Sequence, residues 1–289
     1  MFLLPEVIMT NAKTGAKAGA QHSAAAVCLS KLPPYRPSAL KLLNVSSDSD
    51  APISEFEQVF KSDPALTADL LLVANSAQFG LRCQVATIRH AIAYLGVERV
   101  RHLASTIAFG YYVRQVQPGE YLNSIWSHSI ATATIAELMG NFCHVSGMYT
   151  AGLMHDIGRL GLLLYDCGRY QEALLRKFVD FEEATTLEKS LVGMTHCEAG
   201  ATLGTTWQLP ATLRTCITNH HENEAEDSST SLHLVRIACG LADSLGFAEV
   251  EREDMHVPPA LHERLKGRPE LQPDSLRNQV KKAIANVAA

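Results

Sequence analysis

The stretch KSDPALTADLLLVANS, residues 61–76, carries the strongest local fold signal in the chain. Asp63 precedes Pro64, which is the usual order of an N-cap residue and a proline at the first helical position. Apolar residues then recur at helical spacing, at Leu66, Leu70, Val73 and Ala74. The stretch therefore predicts a helix that begins at Pro64 and buries one apolar face.

The segments on either side of this stretch are also typical of helices. Ser54 and Glu57 have the spacing of a capping box, which predicts the start of a preceding helix. Thr87 is placed to cap a helix that ends at Gly96. No pair of alternating apolar runs is joined by a hairpin turn. We therefore predict an N-terminal helical lobe over residues 31–118.

Residues 116–120, VQPGE, interrupt the helical pattern and predict a boundary between two lobes. We expect a second helical lobe over 119–250 and a C-terminal helical appendage over 251–289, with an amphipathic helix from Leu276 to Val287. Residues 10–30 are rich in Ala, Gly, Ser and Lys, and we expect residues 1–30 to form a flexible tail. The predicted fold class is all-α, a two-lobed helical bundle.

Composition narrows the possible functions. Of 289 residues, 47% are hydrophobic and 19% are charged, as in an ordinary globular protein. The net charge of −5 argues against a surface that binds nucleic acid. No run of eighteen apolar residues occurs, so no membrane span is expected. The seven cysteines are scattered without a Cys-x-x-Cys spacing, which favours reduced thiols and a cytoplasmic location.

The second lobe contains seven potential metal ligands, which are His128, His155, Asp156, His196, His220, His221 and Asp243. Imidazole nitrogens and carboxylate oxygens bind Zn, Mn, Fe or Ni, and one carboxylate can bridge two ions. Adjacent helical side chains diverge by about 100°. The two adjacent pairs can therefore share one centre only from a helix end or a turn.

Two of the polar residues have an alternative interpretation. Asp243 is either a metal ligand or the partner of Arg236, which lies one heptad earlier. Arg159 is placed one turn after Asp156, where it could clamp a bound phosphate or satisfy carbonyls at a helix end. Motifs of nucleotide-binding loops and of serine hydrolases are absent from the sequence.

Several of these motifs together resemble the bacterial HDOD family, the HD-related output domains, over about residues 31–245. The resemblance is carried by residues 61–76, AIAYLG (91–96), WSHS (126–129), GLMHDIGR (152–159), GMTH (193–196), WQLP (207–210) and NHH (219–221). It implies a second lobe similar to HD phosphohydrolases and to HD-GYP cyclic di-GMP phosphodiesterases.

The resemblance also implies a ligand set for one or two divalent transition metal ions, Fe, Mn, Ni or Zn. One ion would take His128, His155, Asp156 and Asp243, and the other would take Asp156, His196, His220 and His221. The chain departs from the HD-GYP pattern at three places. No Gly-Tyr-Pro follows the His-Asp pair, Ser124 stands where those enzymes have a glutamate, and Arg159 stands where they have a lysine.

These departures favour a signalling output module with a vestigial or structural metal site. Such a module would act through protein–protein interaction with a signalling protein, and the groove between the lobes would be the contact surface. The alternative is a metal-dependent phosphohydrolase or phosphodiesterase acting on a nucleotide or cyclic dinucleotide, with Arg159 holding the phosphate. The sequence leaves open which of the two is correct.

Overall fold

The computed structural model of the chain describes residues 24–30, 37–48, 51–76, 79, 84–116, 119–222, 229–253, 255 and 268–288. The helices are α1 (24–30), α2 (Pro37–Ser47), α3 (Ile53–Ser62), α4 (Pro64–Ala74), α5 (Ile88–Leu95), α6 (Val97–Val113), α7 (Glu120–Cys143), α8 (Met148–Met154), α9 (Ile157–Leu174), α10 (Phe181–Val192), α11 (His196–Thr206), α12 (Ala211–Asn219), α13 (Thr230–Ala242) and α14 (Pro273–Ala288). The all-α prediction is confirmed.

Four short elements accompany the helices in the described part of the chain. A π-helical turn, Asp243–Phe247, follows α13, and a 3-10 turn, Pro269–Leu271, precedes α14. Two strands of two residues each, β1 (Lys177–Phe178) and β2 (Glu251–Arg252), pair in parallel. These strands were not expected from the sequence, because two residues are too few to show an alternating pattern.

The helix starts show which capping signals were reliable. Asp63 Oδ1 accepts hydrogen bonds from the backbone N–H groups of Ala65 (3.0 Å) and Leu66 (3.3 Å). Thr87 Oγ1 accepts from the N–H of His90 at 3.1 Å. The predicted capping box of Ser54 and Glu57 is wrong. There α3 begins at Ile53, and its N-cap residue is Pro52, two residues before Ser54, with no side-chain cap.

Two apolar cores underlie the two lobes. The smaller core is built from α2 to α6 and includes Phe56, Leu70 and Leu103. The larger core contains the buried residues of α7 to α14. Helix α6 serves both cores, because Ala104 lies in the smaller one and Ala108 in the larger one. The boundary between the lobes predicted at 116–120 stays a prediction, and the two cores share helix α6.

Direct contacts join the lobes along α6 and α8. Ser105 Oγ lies 2.9 Å from Thr150 Oγ1, and Thr106 Oγ1 lies 2.8 Å from the Tyr149 hydroxyl. The ring of His102 stacks on Tyr149 with 4.2 Å between ring centroids. These buried polar contacts hold the N-terminal lobe against the helices of the second lobe.

Residues 24–30 differ from the flexible tail that was expected over 1–30. They form α1, and Ala25 and Leu29 are completely buried in the larger core. Leu29 packs against Gly161 of α9. The Ala-rich composition therefore reflects a helix that packs closely on its neighbours. Residues 1–23 lie outside the described part of the chain.

The C-terminal helix was expected from Leu276 to Val287 and is observed as α14. Leu276 and Val280 are completely buried against the larger core, and the helix packs along α7. Arg277 Nε donates to the carbonyl of Leu245 at 3.2 Å. Within the described residues, no helix is both long and apolar enough to cross a membrane.

Candidate metal centre

Helix ends and turns bring the predicted ligands together at one place in the second lobe. His155 and Asp156 occupy the two-residue turn between α8 and α9, and His220 follows the last residue of α12. His128 projects from the middle of α7, and His196 is the first residue of α11. Adjacent ligands at helix ends can converge, which is the arrangement that the sequence predicted.

Local sequence explains why α11 begins at His196. Thr195 Oγ1 accepts from the N–H of Glu198 at 3.2 Å, and the Glu198 carboxylate accepts from the N–H of Thr195 at 2.7 Å. This capping box sets the first turn of α11. As a result the His196 side chain points into the interior, where it is 1% exposed.

The Asp156 carboxylate lies at the centre of the cluster and faces two groups of histidines. Its Oδ1 lies 3.2 Å from His196 Nε2 and 3.0 Å from His220 Nε2. Its Oδ2 lies 3.3 Å from His155 Nε2 and 3.8 Å from His128 Nε2. Asp156 is therefore oriented as a carboxylate that bridges two positions.

The outer ring nitrogens of these histidines bind acceptors within the protein. His155 Nδ1 lies 2.7 Å from the Gly152 carbonyl, and His220 Nδ1 lies 3.0 Å from the Ile217 carbonyl. His196 Nδ1 lies 2.9 Å from a Glu188 oxygen. An acceptor at Nδ1 fixes the ring and directs the Nε2 lone pair inward, as in metal-bound histidines.

Three observations show that these residues fit a divalent metal ion. Ligand atoms of Asp156, His196, His220 and His221 all lie within 4.8 Å of one another. Two nitrogens bound tetrahedrally at about 2.0–2.1 Å would lie about 3.4 Å apart, close to the distances around Asp156. The Nε2 atoms of His196 and His221 are buried and make no hydrogen bond. Such polar atoms are costly to bury without a ligand.

Charge at the centre also suits a cation. Burial raises the pKa of the Asp156 carboxyl, but the nearby His155 and Arg159 outweigh burial and hold it well below its usual range. Burial lowers the pKa of His155, yet the Asp156 charge raises it to about 10. At His220 burial prevails and lowers the pKa to about 4. Asp156 is therefore ionised at neutral pH, as a metal ligand must be, whereas a metal ion that binds His155 must displace the proton that this raised pKa retains.

Asp243 is buried, but it lies on the outer side of His128. Its Oδ1 is 3.2 Å from His128 Nδ1, the nitrogen that faces away from the cluster. Its Oδ2 accepts from Arg252 at 2.8 Å, while Arg236 donates to the Asn219 carbonyl at 2.8 Å. The structure therefore does not contain the surface ion pair of Arg236 and Asp243. In this arrangement Asp243 orients His128.

Arg159 is buried and bound by acidic side chains. Its Nη1 donates to Glu188 Oε1 at 2.8 Å and to the Tyr170 hydroxyl at 3.1 Å. Its Nε contacts the Glu249 carboxylate. These partners are side chains, whereas the helix-end alternative required carbonyls. The hypothesis that Arg159 clamps a phosphate stays a prediction, and it would require Glu249 to move away.

Three residues at the centre were not found from the sequence. Cys239 Sγ lies 3.7 Å from His128 Nε2, Glu188 orients His196, and Glu249 lies beside Arg159. Burial raises the pKa of Glu249 to about 8. Cys239 had a detectable signal, since it precedes Asp243 by one helical turn. No local pattern marked Glu188 or Glu249.

The described residues cover most of the centre, although His221 at its edge is only half-buried. Phe181 covers His221 with 3.7 Å between ring centroids, and the Arg252 guanidinium lies 5.6 Å from the centre of the Phe181 ring. The pairing of β1 with β2 places Phe178 opposite Arg252, three residues before Phe181. The cavity beside Asp156 and Glu249 has a volume of about 10 Å³, which is room for about one water molecule.

Comparison with known proteins agrees with this architecture. The family model of the HDOD domain matches residues 32–223. An uncharacterised protein of Treponema pallidum (strain Nichols) is 24% identical over 198 residues, which is 65% of this chain and 37% of that protein. The chain thus spans well under half of that relative.

Two solved structures share the fold. A protein of Shewanella amazonensis SB2B, provisionally described as a phosphohydrolase, is 21% identical with a TM-score of 0.66, covering 93% of this chain and 98% of that one. A protein of Marinobacter aquaeolei VT8, provisionally described as a signal transduction protein, is 19% identical with a TM-score of 0.71, covering 95% and 66%. The family match over residues 32–223 and this two-lobed helical architecture together show that the chain belongs to the HDOD family.

Proposed function

We propose that this HDOD protein is a signal-transduction output module that works through protein contacts, with the buried metal centre stabilising its second lobe. The observation that carries the proposal is the enclosure of the centre. Asp156 is 3% exposed, and His155 and His196 are each 1% exposed. Ligands that are buried to this extent suit a structural ion better than a reacting one, since a catalytic metal keeps a position open to substrate.

The size of the cavity supports the same conclusion. Pockets for small-molecule ligands have volumes of about 300–1,000 Å³. The cavity at the centre has about 10 Å³, so a nucleotide or cyclic dinucleotide has no room there in this conformation. The description of the Marinobacter aquaeolei protein as a signal transduction protein agrees with this proposal.

The groove between α6, α7 and α14 is the surface that we propose for the partner. It has a volume of about 520 Å³ and includes Arg99, His102, Leu138 and Lys282 in its lining. Arg99 and Lys282 are exposed cations on opposite walls. The groove therefore suits a signalling protein that presents acidic and apolar side chains.

The alternative function is a metal-dependent phosphohydrolase. It is favoured by the bridging orientation of Asp156 and by the Arg159 guanidinium, whose Nε lies 3.6 Å from Asp156 Oδ2. The Shewanella amazonensis protein is provisionally described as an enzyme of this class. For a phosphate to reach Arg159, residues 249–252 would have to leave the centre and release Glu249. A metal bound there would supply an activated water for hydrolysis.

A turnover assay tests the proposal against this alternative. The protein is loaded with Mn, Fe, Ni or Zn and incubated with cyclic di-GMP and with simple phosphoesters, and Asp156→Ala serves as the control for contaminating enzymes. We expect equal, background release of product from both proteins. Turnover by the wild-type protein that disappears in Asp156→Ala would favour the phosphohydrolase.

The partner surface has its own test. Retrieval of host proteins by the wild-type chain is compared with retrieval by Arg99→Glu combined with Lys282→Glu. Arg169→Glu combined with Arg176→Glu, at two exposed positions outside the groove, is the charge-matched control. We expect a partner that is retained by the control and lost by the groove variant. Equal retention by both variants would exclude the groove.

A further inference from the structure

Cys239 lies beside two histidines of the centre, on the opposite side of Asp156 from His196 and His220. Its Sγ lies 3.7 Å from His128 Nε2, and the Nε2 atoms of His128 and His155 lie 3.2 Å apart. Ligand atoms of the three residues all lie within 4.8 Å of one another. Cys239 is 4% exposed and the two histidines are 2% and 1% exposed.

The close approach of the two Nε2 atoms requires something between them. His155 Nδ1 lies 2.7 Å from the Gly152 carbonyl, and His128 Nδ1 lies 3.0 Å from the Phe247 carbonyl. A carbonyl only accepts hydrogen bonds, so each ring carries a proton on Nδ1, and Nε2 is the atom left for a second proton or a metal ion. Two Nε2 atoms that face each other at 3.2 Å repel unless a proton or a metal ion lies between them, and only a metal ion also uses the Cys239 thiolate as a ligand.

The distances agree with a shared metal ion that includes the thiolate. Tetrahedral zinc with Zn–N of about 2.0–2.1 Å and Zn–S of about 2.3 Å places two nitrogens about 3.4 Å apart, and a nitrogen and a sulfur about 3.6 Å apart. The observed separations are 3.2 Å and 3.7 Å. The remaining position faces Asp156 Oδ2, which lies 3.3 Å from His155 Nε2.

We propose that His128, His155 and Cys239 bind a second divalent ion, which Asp156 bridges to the ion held by His196, His220 and His221. This inference rests on the metal centre of the proposed function and adds a second position to it. It assigns to the Cys239 thiolate the place that the resemblance gave to Asp243, which instead orients the His128 ring. Because a thiolate is a soft ligand, this position should prefer Zn²⁺, Co²⁺ or Fe²⁺ to Mn²⁺ or Mg²⁺.

The Cys239 position follows from the packing of α7 and α13. Cys239 and Asp243 lie one turn apart on the same face of α13, on either side of the His128 ring. Gly246, with a φ of 87°, then turns the chain so that the Phe247 carbonyl reaches His128 Nδ1. The same helix face therefore supplies a ligand on the inner side and an orienting group on the outer side.

Cobalt substitution tests this inference by spectroscopy. The metal-free protein is titrated anaerobically with Co²⁺, and bound cobalt is counted while the near-ultraviolet spectrum is recorded. We expect two cobalt ions per chain and an intense thiolate-to-cobalt charge-transfer band. Cys239→Ser should lose the band and one cobalt ion. Cys239→Asp should lose the band and keep two ions, because a carboxylate replaces the thiolate.

Cys216→Ser is the matched control, because Cys216 is completely buried in the same lobe but lies on α12. Its band should equal that of the wild-type protein. Two bound cobalt ions without the band, or a band that persists in Cys239→Ser, would overturn the inference. A single cobalt ion without the band would overturn it while leaving the first position intact. No cobalt binding at all would overturn the metal centre itself.

Discussion

Gly158 of α9 packs directly against the backbone of His196 at the start of α11. A Cβ atom at position 158 would lie 1.8 Å from the His196 carbonyl oxygen and 2.6 Å from the Gly200 nitrogen. Both contacts are with backbone, which cannot rotate away as a side chain can. The absence of a side chain at Gly158 therefore sets the spacing of α9 and α11, and with it the distance from Asp156 to His196.

Substitution of Gly158 by Ala should move α11 and disrupt the centre. We expect the free energy of unfolding to fall by about 1–3 kcal/mol, the usual cost of overpacking, and bound metal to decrease.

The control is Gly240→Ala in α13, where an added Cβ would meet nothing within 4 Å. That change should stabilise the protein by about 0.5–1 kcal/mol, the usual gain from replacing a helical glycine by alanine. Urea unfolding and elemental analysis measure both effects, and wild-type metal content in Gly158→Ala would contradict the prediction.

Phe181 should control how fast metal leaves the centre. Its ring covers His221 and lies 5.8 Å, centroid to centroid, from the ring of His196. We expect Phe181→Ala to accelerate removal of metal by a chelator about tenfold, which corresponds to about 1.4 kcal/mol of lost protection. The nearby exposed residue Val179 provides the control, since Val179→Ala should release metal at the wild-type rate. Equal rates for the two variants would mean that Phe181 is not part of the cover.

Leu29 tests whether α1 belongs to the folded protein. Its side chain is completely buried, whereas Val27 on the same helix is 49% exposed. Leu29→Ala should therefore lower the free energy of unfolding by about 2–5 kcal/mol, as is typical of a buried leucine. Val27→Ala should change it little. Thermal unfolding of both variants measures the difference, and a wild-type melting temperature for Leu29→Ala would support the flexible tail that the composition suggested.

Glu137 should contribute to stability in a pH-dependent way at the contact between the lobes. Burial raises the pKa of its carboxyl, but the hydrogen bond and charge of His102 together with the hydrogen bond from the Tyr149 N–H hold the pKa below its ordinary value. A carboxyl with a lowered pKa in the folded state stabilises the protein above its unfolded pKa of about 4.3, and this contribution is lost as the pH falls.

Glu137→Gln should therefore be less stable than the wild-type protein at pH 7, and the difference should shrink as the pH falls below about 4.3. The midpoints of urea unfolding, measured across this pH range, test the prediction. Glu172→Gln, at an exposed position of α9 outside its first turn, should show a much smaller difference from the wild-type protein. A difference for Glu137→Gln that stays constant with pH would show that the charge of Glu137 is not responsible.

Local sequence patterns were sufficient to predict the helices and most of the residues that meet at the centre. Asp63 and Thr87 cap their helices through residues two or three positions away, so the sequence contains the whole interaction. The convergence of His155-Asp156 and His220 followed from a geometric constraint, since adjacent residues can meet only at helix ends. The boundary between the cores was harder to predict, because residues 100–104 of α6 belong to the smaller core and residues 108–112 to the larger one.

The remaining features depend on contacts that are distant in sequence. Asp243 lies 115 residues after His128 in the sequence, but the two side chains are in contact in the fold. Helix α13 ends there in a π-helical turn, which no local sequence pattern predicts. Glu249 reaches Arg159 because β2 pairs with β1, more than seventy residues earlier in the chain. The proposed function depends on the burial of the centre. This burial also results from contacts that are distant in sequence, so the spacing of the ligands in the sequence could not predict it.

The thermal unfolding of the wild-type protein and of Asp156→Ala, each with and without bound metal, tests the central claim most directly. An ion that binds only the folded state stabilises it by about 4 kcal/mol at a thousand times its Kd. At the usual entropy of unfolding per residue, this raises the Tm by roughly 5–10 °C for a chain of this size. We predict this increase for the wild-type protein and no response in Asp156→Ala, which should melt at or below the metal-free wild-type temperature. A wild-type Tm that does not change when metal is added would contradict the account. It would also be contradicted if Asp156→Ala melted like the metal-loaded wild-type protein but had lost a phosphodiesterase activity.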